Sequence, residues 1–331
     1  MLKVGINGFG RIGRLTLRAA LGREEFKIVG INDLADPDVL AHLLKYDSSY
    51  GVLASEVTVE DNNIIVGGDS IRVFNEKDPA NIPWSELGVD IVVESTGIFR
   101  SQDTASAHIK AGAKKVIVSA PGDNLDLTVV LGVNEKDYNH EDHHIISNAS
   151  CTTNALAPMV KVLHEKFGVK KGLMNTTHAY TNDQALLDIP HKDLRRARAG
   201  ALSIIPSSTG AAKAVGLVIP ELNGLLNGFS LRVPTATVSI VDLVSELEKS
   251  ATAEEINNAF KEEAARSSVF DYTEVPLVSV DYRGNSYSSI VDGPSTMVVG
   301  ENLVRTVAWY DNEWAYSCRL GDLAAYMGSF F

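Results

Sequence analysis

Leu2 to Asn7 read as a buried strand, and a glycine-rich turn separates them from Arg11 to Leu21, where Ile12, Leu15, Ala19 and Ala20 recur at helical spacing. A second β-rich run, Phe26 to Ile31, follows. Further short apolar runs, Ile91 to Val93, Val116 to Ser119, Thr128 to Val133 and Ile145 to Ser147, alternate with helical stretches. That alternation predicts a mostly parallel, doubly wound sheet of the Rossmann type. Asn62 to Phe74 look instead like short hairpin strands inserted on it. Beyond Cys151 the texture changes. Thr152 to Phe167 place Leu156, Met159, Val160, Leu163 and Phe167 on one helical face, with Pro158 expected to kink the helix. Ser239 to Leu247 and Leu303 to Trp309 alternate as antiparallel strands do. Thr252-Ala253-Glu254-Glu255 form a capping box for a helix running to about Ala265.

The fold class is therefore α/β: an N-terminal doubly wound Rossmann domain followed by a second, α+β catalytic domain built on an antiparallel sheet. Domain boundaries are expected at 1–149 and 150–312, with a closing helix (about 313–331, its core Tyr316 to Met327) returning to the first domain.

The chain has 331 residues, 45% of them hydrophobic, enough for two cores. Its net charge of −12, without a basic block, gives little attraction to nucleic acid or anionic lipid. No leader and no membrane-length apolar run is evident, so a cytoplasmic protein is expected. Cys151 and Cys318 are the only cysteines, too few for a disulfide framework or a thiolate zinc site. No metal is expected.

The turn after the first strand reads Gly8-Phe9-Gly10-Arg11-Ile12-Gly13. Gly8 permits the tight turn, Gly10 lets backbone approach a pyrophosphate, and Gly13 lets the helix pack on the strand. Phosphate oxygens would meet the free amides of the helix start. Asp33 stands twenty residues beyond Gly13, where a carboxylate reads a ribose 2′-hydroxyl and repels a 2′-phosphate. NAD is the expected cofactor.

Cys151 opens the helix that follows Ser150, among the polar neighbours Thr152, Thr153 and Asn154. A thiol at a helix N-terminus gains from the macrodipole and free amides, which lower its pKa and could hold an oxyanion. Of eight histidines His178 is the best base, since it ends the β-like run Gly172 to Thr177 at a loop entrance. The others, His108 among them, have ordinary surface or helical surroundings. Arg232 interrupts the apolar run Phe229 to Val233, where a buried guanidinium needs an anion.

Ala149-Ser150-Cys151-Thr152-Thr153-Asn154, Asn175-Thr176-Thr177-His178-Ala179-Tyr180-Thr181-Asn182-Asp183-Gln184 and the amino-terminal Lys3 to Arg14 closely resemble the phosphorylating glyceraldehyde-3-phosphate dehydrogenases. The resemblance runs the length of the chain, through Leu194-Arg195-Arg196-Ala197-Arg198-Ala199, Ser208-Thr209-Gly210-Ala211-Ala212-Lys213 and Trp309-Tyr310-Asp311-Asn312-Glu313-Trp314. It implies oxidation of glyceraldehyde 3-phosphate to 1,3-bisphosphoglycerate with NAD and inorganic phosphate, through a thiohemiacetal and thioester on Cys151, with His178 keeping the sulfur ionised. It gives the substrate phosphate to Thr181 and Arg232, and the attacking phosphate to Ser150, Thr152, Thr209 and Gly210. One of Arg195, Arg196 and Arg198 joins these, with Arg198 the choice from sequence. Arg11 and Ile12 fall at the pyrophosphate turn, Asp33 at the adenosine ribose, Lys77, Thr96 and Ser119 at further cofactor contacts, and Asn312 at the nicotinamide carboxamide. Leu34 and Pro190 match the NAD-using branch. The irregular loop from Ala179 to about Ala201 resembles the segment that reaches a neighbouring subunit, implying a homotetramer. Ala155 stands where a second cysteine is often found. Erythrose-4-phosphate dehydrogenase is the nearest rival enzyme, although Thr181-Asn182-Asp183-Gln184 is usually absent there. An NAD-responsive binding protein without turnover is the rival of another class.

Overall fold

The computed structural model describes residues 1–331. The chain divides into two compact units, one of Met1–Val129, Lys136–Ala149 and Tyr316–Phe331, the other of Val130–Glu135 and Ser150–Ala315.

The first unit contains β1 (Leu2–Asn7), α1 (Arg11–Ala20), β2 (Phe26–Asn32), α2 (Pro37–Lys45), the short ribbon β3 (Tyr46–Asp47) and β4 (Gly51–Val52), then β5 (Val57–Glu60), β6 (Asn63–Val66) and β7 (Asp69–Phe74). It continues with α3 (Trp84–Leu87), β8 (Ile91–Glu94), α4 (Gln102–Lys110), β9 (Lys115–Val118), β10 (Leu127–Thr128) and β11 (Ile145–Ser147). Nine strands form one sheet in the order β10-β11-β9-β8-β1-β2-β7-β6-β5. The order reverses at β1, whose neighbours β2 and β8 both run parallel to it, and such a switch point leaves a crevice at the strand carboxyl ends. The hairpin inferred for Asn62 to Phe74 is β6 and β7, paired antiparallel. It extends the sheet itself, since β7 lies parallel beside β2. Strands buried on both faces carry the core: β8 reads Ile-Val-Val-Glu and β9 Lys-Val-Ile-Val with every residue buried. Trp84, Ile82, Val89, Val92, Ala111 and Ala113 pack on one side; Ala105, Val116, Val118 and Ile145 form another cluster.

The second unit contains α5 (Cys151–Phe167), β12 (Val169–Ala179), β13 (Ile205–Ser208), α6 (Ala211–Val218), β14 (Leu226–Val233), β15 (Ser239–Leu247), α7 (Ala253–Ala264), β16 (Phe270–Thr273), β17 (Ser289–Asp292), β18 (Met297–Val299) and β19 (Leu303–Tyr310). Its sheet runs β13-β14-β12-β15-β19-β17-β16, with β18 on β19. Most pairings are antiparallel, as the alternation in β15 and β19 predicts. Two are parallel, β12 with β14 and β16 with β17. The Thr252 capping box is present, with Thr252 Oγ1 accepting from Glu255 N. α5 continues as helix through the buried Pro158 for 17 residues. The segment 130–135 belongs to this unit, and Lys161 Nζ donates to Gly132 O at 2.9 Å. The last helix, α8 (Trp314–Gly328), belongs to the first unit from Tyr316 onward.

Candidate active site

Ser150 adopts an extended backbone and caps α5, its Oγ accepting from Thr153 N at 3.0 Å. Cys151 is thereby the first residue of the helix, half-buried, and its own amide and that of Thr152 point toward the sulfur. These are donors that a helix start leaves without an intrahelical partner. One strand supplies the imidazole beside it. His178, buried near the end of β12, brings Nε2 to 3.5 Å from Cys151 Sγ. The parallel pairing of β12 with β14 sets His178 directly beside Arg232, whose Nη1 lies 2.7 Å from His178 Nδ1 and 3.2 Å from Ala179 O.

Nδ1 also lies 2.7 Å from Ala179 O, so this nitrogen has an acceptor on one side and a donor on the other. When Nδ1–H donates to Ala179 O, Nε2 offers a lone pair to the thiol; when Nδ1 accepts from Arg232, Nε2–H can donate. The ring is equipped for both roles.

Burial disfavours charge on either partner taken singly. It pushes the Cys151 thiol up, against the pull of Arg232 and of Thr152. It drives His178 down to about 3, with the neighbouring Arg232 charge adding to the effect. The helix-start amides of Cys151 and Thr152 pull the thiol down, as the sequence led one to expect, but burial outweighs them. Moving the proton from Sγ to Nε2 creates opposite charges in contact, each offsetting the other's desolvation, so the titration belongs to the pair.

Arg232 has no carboxylate partner, and its Nε is buried without a hydrogen bond. An orphaned donor on a guanidinium is costly unless an anion completes it. Thr181 is half-buried on the loop after β12, where its N donates to Gln184 Oε1 at 2.9 Å. Thr209 Oγ1 accepts from Ala211 N at 3.2 Å, and Gly210 is the N-cap of α6 with open space where a Cβ would stand. Thr152 is buried, its Oγ1 2.9 Å from Tyr310 Oη.

The three loop arginines differ in burial and partners, and Arg195 is exposed. Arg198 is exposed and pairs with Asp188 at 3.1 Å. Arg196 is half-buried, pairs with Asp183 and donates to Ser208 O at 3.0 Å. Its charge is felt at Arg232.

In the first unit, the residues that the sequence assigned to NAD stand at or beyond the carboxyl ends of β1, β2, β7, β8 and β9. Gly8 has φ +90°, and a Cβ there would meet Thr96 N at 2.6 Å. A Cβ on Gly13 would meet Gly8 O at 2.2 Å, whereas nothing lies within 4 Å of one on Gly10. Gly10 caps α1 without a side-chain bond, so the helix start and the space above it fit a pyrophosphate. Asp33 accepts from Phe9 N at 2.7 Å and from Ala35 N at 3.0 Å, one amide per oxygen. Each oxygen keeps capacity for a ribose hydroxyl. Arg11 is bound to Asp47 at 2.5 Å. Ile12 is half-buried beside it, and Lys77 is exposed just past β7. Thr96 N donates to Glu94 Oε1 at 2.8 Å, and Ser119 N to Glu94 O at 2.9 Å. Asn312, in the second unit, has its Oδ1 held by Ser239 Oγ at 3.0 Å.

Two residues escaped the sequence reading. Tyr310 is buried at the end of β19, its hydroxyl 2.9 Å from both Thr152 Oγ1 and Thr176 Oγ1 and its ring edge-on to His178 at 6.0 Å. The alternation of β19 carries a signal for it, since a phenol inside an apolar strand needs a partner. His108, read as an ordinary surface or helical residue, is wholly buried, its Nε2 2.9 Å from Glu94 Oε2.

No helix is long and apolar enough to cross a membrane.

A family model described as the NAD binding domain of glyceraldehyde 3-phosphate dehydrogenase matches residues 2–102, and one described as the C-terminal domain of that enzyme matches residues 150–312. The glyceraldehyde-3-phosphate dehydrogenase of Geobacillus stearothermophilus is 59% identical over 330 residues, covering 99% of this chain and 98% of its own. Glyceraldehyde-3-phosphate dehydrogenase 1 of Bacillus cereus is 58% identical over 331 residues, 99% of each chain, and that of Bacillus subtilis 58% over 328 residues, 98% of each.

Proposed function

Because the chain belongs to the glyceraldehyde-3-phosphate dehydrogenase family, we propose that Cys151 and His178 carry out the covalent oxidation of D-glyceraldehyde 3-phosphate to 1,3-bisphosphoglycerate. The observation that carries this assignment is the 3.5 Å contact between Sγ and Nε2 at the start of α5, beside an arginine with no carboxylate partner.

The sulfur attacks the aldehyde carbon as its proton passes to Nε2, and the resulting oxyanion takes donors from the helix start and the imidazole. The substrate phosphate sits on Arg232 and Thr181, filling the donor capacity left open on Nε of Arg232. A dianion there also weakens the repulsion between Arg232 and a protonated His178, which favours the proton transfer. NAD, held by Gly8, Gly10, Arg11, Ile12, Gly13, Asp33, Lys77, Thr96, Ser119 and Asn312, supplies the hydride acceptor. Oxidation leaves a thioester on Cys151. Inorganic phosphate attacks its carbonyl carbon, the C–S bond breaks, and His178 returns a proton to the departing sulfur.

Ser150, Thr152, Thr209 and Gly210 form the pocket for the attacking phosphate, with Arg196 as its cation. Each of the two pairs with a carboxylate, but Arg196 is preferred to Arg198 because it is half-buried and donates to Ser208 O, next to Thr209, while Arg198 is exposed. A homotetramer in the cytoplasm completes the reading. The names of the relatives do not favour erythrose 4-phosphate as the substrate.

The test is NADH formation from glyceraldehyde 3-phosphate with and without inorganic phosphate. Turnover is expected to depend on phosphate. Equal rates in its absence would refute the phosphorylating mechanism and indicate hydrolysis of the thioester.

A further inference from the structure

Glu94 closes β8 with its side chain buried. Its Oε2 accepts from Asn7 Nδ2 at 2.6 Å and lies 2.9 Å from His108 Nε2. Its Oε1 accepts from Thr96 N at 2.8 Å and also from Thr96 Oγ1. Trp84 Nε1 donates to His108 Nδ1 at 3.1 Å, which puts the ring proton on Nε2, directed at Glu94. The carboxylate therefore receives four donors and leaves none of them dangling. Asn7 extends the chain of bonds: its Oδ1 accepts from Asn32 Nδ2 at 2.8 Å, and Asn32 Oδ1 accepts from Glu76 N at 2.8 Å. One buried network thus joins the carboxyl ends of β1, β2 and β8 to the segment after β7.

What this network touches is the glycine turn. Gly8 follows Asn7, and its missing Cβ would stand 2.6 Å from Thr96 N and 2.8 Å from Thr96 Cγ2. Ser95, between Glu94 and Thr96, brings its Oγ to 2.7 Å from Gly8 O. A stabilising role for the fold would be met by packing alone, since burying a carboxylate under a glycine turn is costly compared with an apolar isostere. Its geometry serves something else: the placement of one backbone amide and one hydroxyl against the turn.

We propose that Glu94 is a positioning residue for the dinucleotide site, acting through Thr96 to hold the Gly8 turn in its binding geometry. This rests on the reading of Thr96 as a cofactor contact. Replacing the carboxylate by a carboxamide turns one acceptor into a donor. Either Asn7 Nδ2 and His108 Nε2, or the two Thr96 donors, then face an N–H group, and Thr96 moves.

The experiment measures NAD binding by calorimetry on the full chain, with steady-state kinetics alongside. Glu94→Gln is expected to melt cooperatively, to raise the dissociation constant and KM for NAD about tenfold, the worth of one hydrogen bond to a charged group, and to leave kcat within about twofold. KM for glyceraldehyde 3-phosphate and for inorganic phosphate should not move. Thr96→Val should weaken NAD comparably, and the double variant should be no weaker than Thr96→Val alone. Folded Glu94→Gln with unaltered NAD affinity, a lowered kcat at unchanged KM for NAD, or additive effects in the double variant would each overturn the proposal. Should Glu94→Gln not fold, Glu94→Asp retains the charge but is too short to reach both Asn7 and Thr96, and the same NAD-specific loss is expected. Failure of both to fold would make the network a folding element and equally overturn the role. Thr96→Val with normal NAD affinity would remove Thr96 from the cofactor site, a distinct failure from wild-type protein that does not bind NAD.

Discussion

Nη1 of Arg232 lies 2.7 Å from Nδ1 of His178, the ring nitrogen remote from the Cys151 sulfur. One guanidinium therefore acts on the base and, in the proposed mechanism, on the substrate phosphate as well. Arg232→Gln is expected to lower kcat/KM for glyceraldehyde 3-phosphate by about 100-fold, ~2.7 kcal/mol, which is within the range for a hydrogen bond to a charged group. Unphosphorylated glyceraldehyde supplies the control. Its kcat/KM should fall far less, and an equal loss on both aldehydes would show that Arg232 serves only the imidazole.

Neither cause that depresses His178 involves the sulfur: one is burial, the other Arg232. In Cys151→Ala the imidazole should accordingly stay neutral from its ordinary titration range down to about 3. Between those limits the unfolded chain binds a proton that the folded chain refuses, so stability falls as pH drops through the window and returns as pH rises. Histidine ring resonances followed from pH 7 to 4, with thermal melts at each step, measure both effects. A His178 ring that titrates near 6.5 in this variant would contradict the assignment.

Gly10 and Gly13 should fail in opposite ways. A Cβ on Gly13 would stand 2.2 Å from Gly8 O, so Gly13→Ala must displace α1 from β1, at an expected cost of about 1–3 kcal/mol in stability. Gly10 has φ −70° and open space beside it. Gly10→Ala should keep the wild-type melting temperature and still lose NAD affinity, because its methyl group occupies the pyrophosphate's approach. Calorimetric NAD titration paired with thermal denaturation separates the two.

The loop arginines make a paired prediction. Arg196→Ala is expected to raise KM for inorganic phosphate by about tenfold, the loss of a charge-assisted contact. Arg198→Ala should remain within about twofold, since an exposed ion pair with Asp188 contributes little. The reverse outcome would return the phosphate pocket to Arg198.

Sequence alone carried the first unit a long way because its signals are local. The strand, the glycine turn and the helix of the cofactor fingerprint lie within about twenty residues, and Gly8 and Gly13 each answer a steric demand that their neighbours impose, while Gly10 faces open space. Cys151 at a helix start was legible for the same reason, since Ser150 and Thr153 make the cap within four residues. The parallel pair β12 and β14 was not legible, because alternation reveals a strand and not the direction of its neighbour. That pairing is what puts Arg232 beside His178. Tyr310 and His108 were missed because their partners come from distant segments: Thr152 stands 158 residues from Tyr310, and Trp84 reaches His108 from another helix. Arg195, Arg196 and Arg198 are alike in sequence, because the carboxylates that pair with two of them, Asp183 and Asp188, are set by the loop's geometry.

Ala155 is wholly buried one helical turn beyond Cys151, and it leaves Cys151 as the only thiol on that helix. A peroxide that converts Cys151 to the sulfenic acid finds no neighbouring thiol on α5 with which to condense. Repair then falls to a thiol from outside this helix, in competition with irreversible oxidation to the sulfinic acid. Installing Ala155→Cys would add an internal resolving partner and change how the enzyme recovers from oxidant.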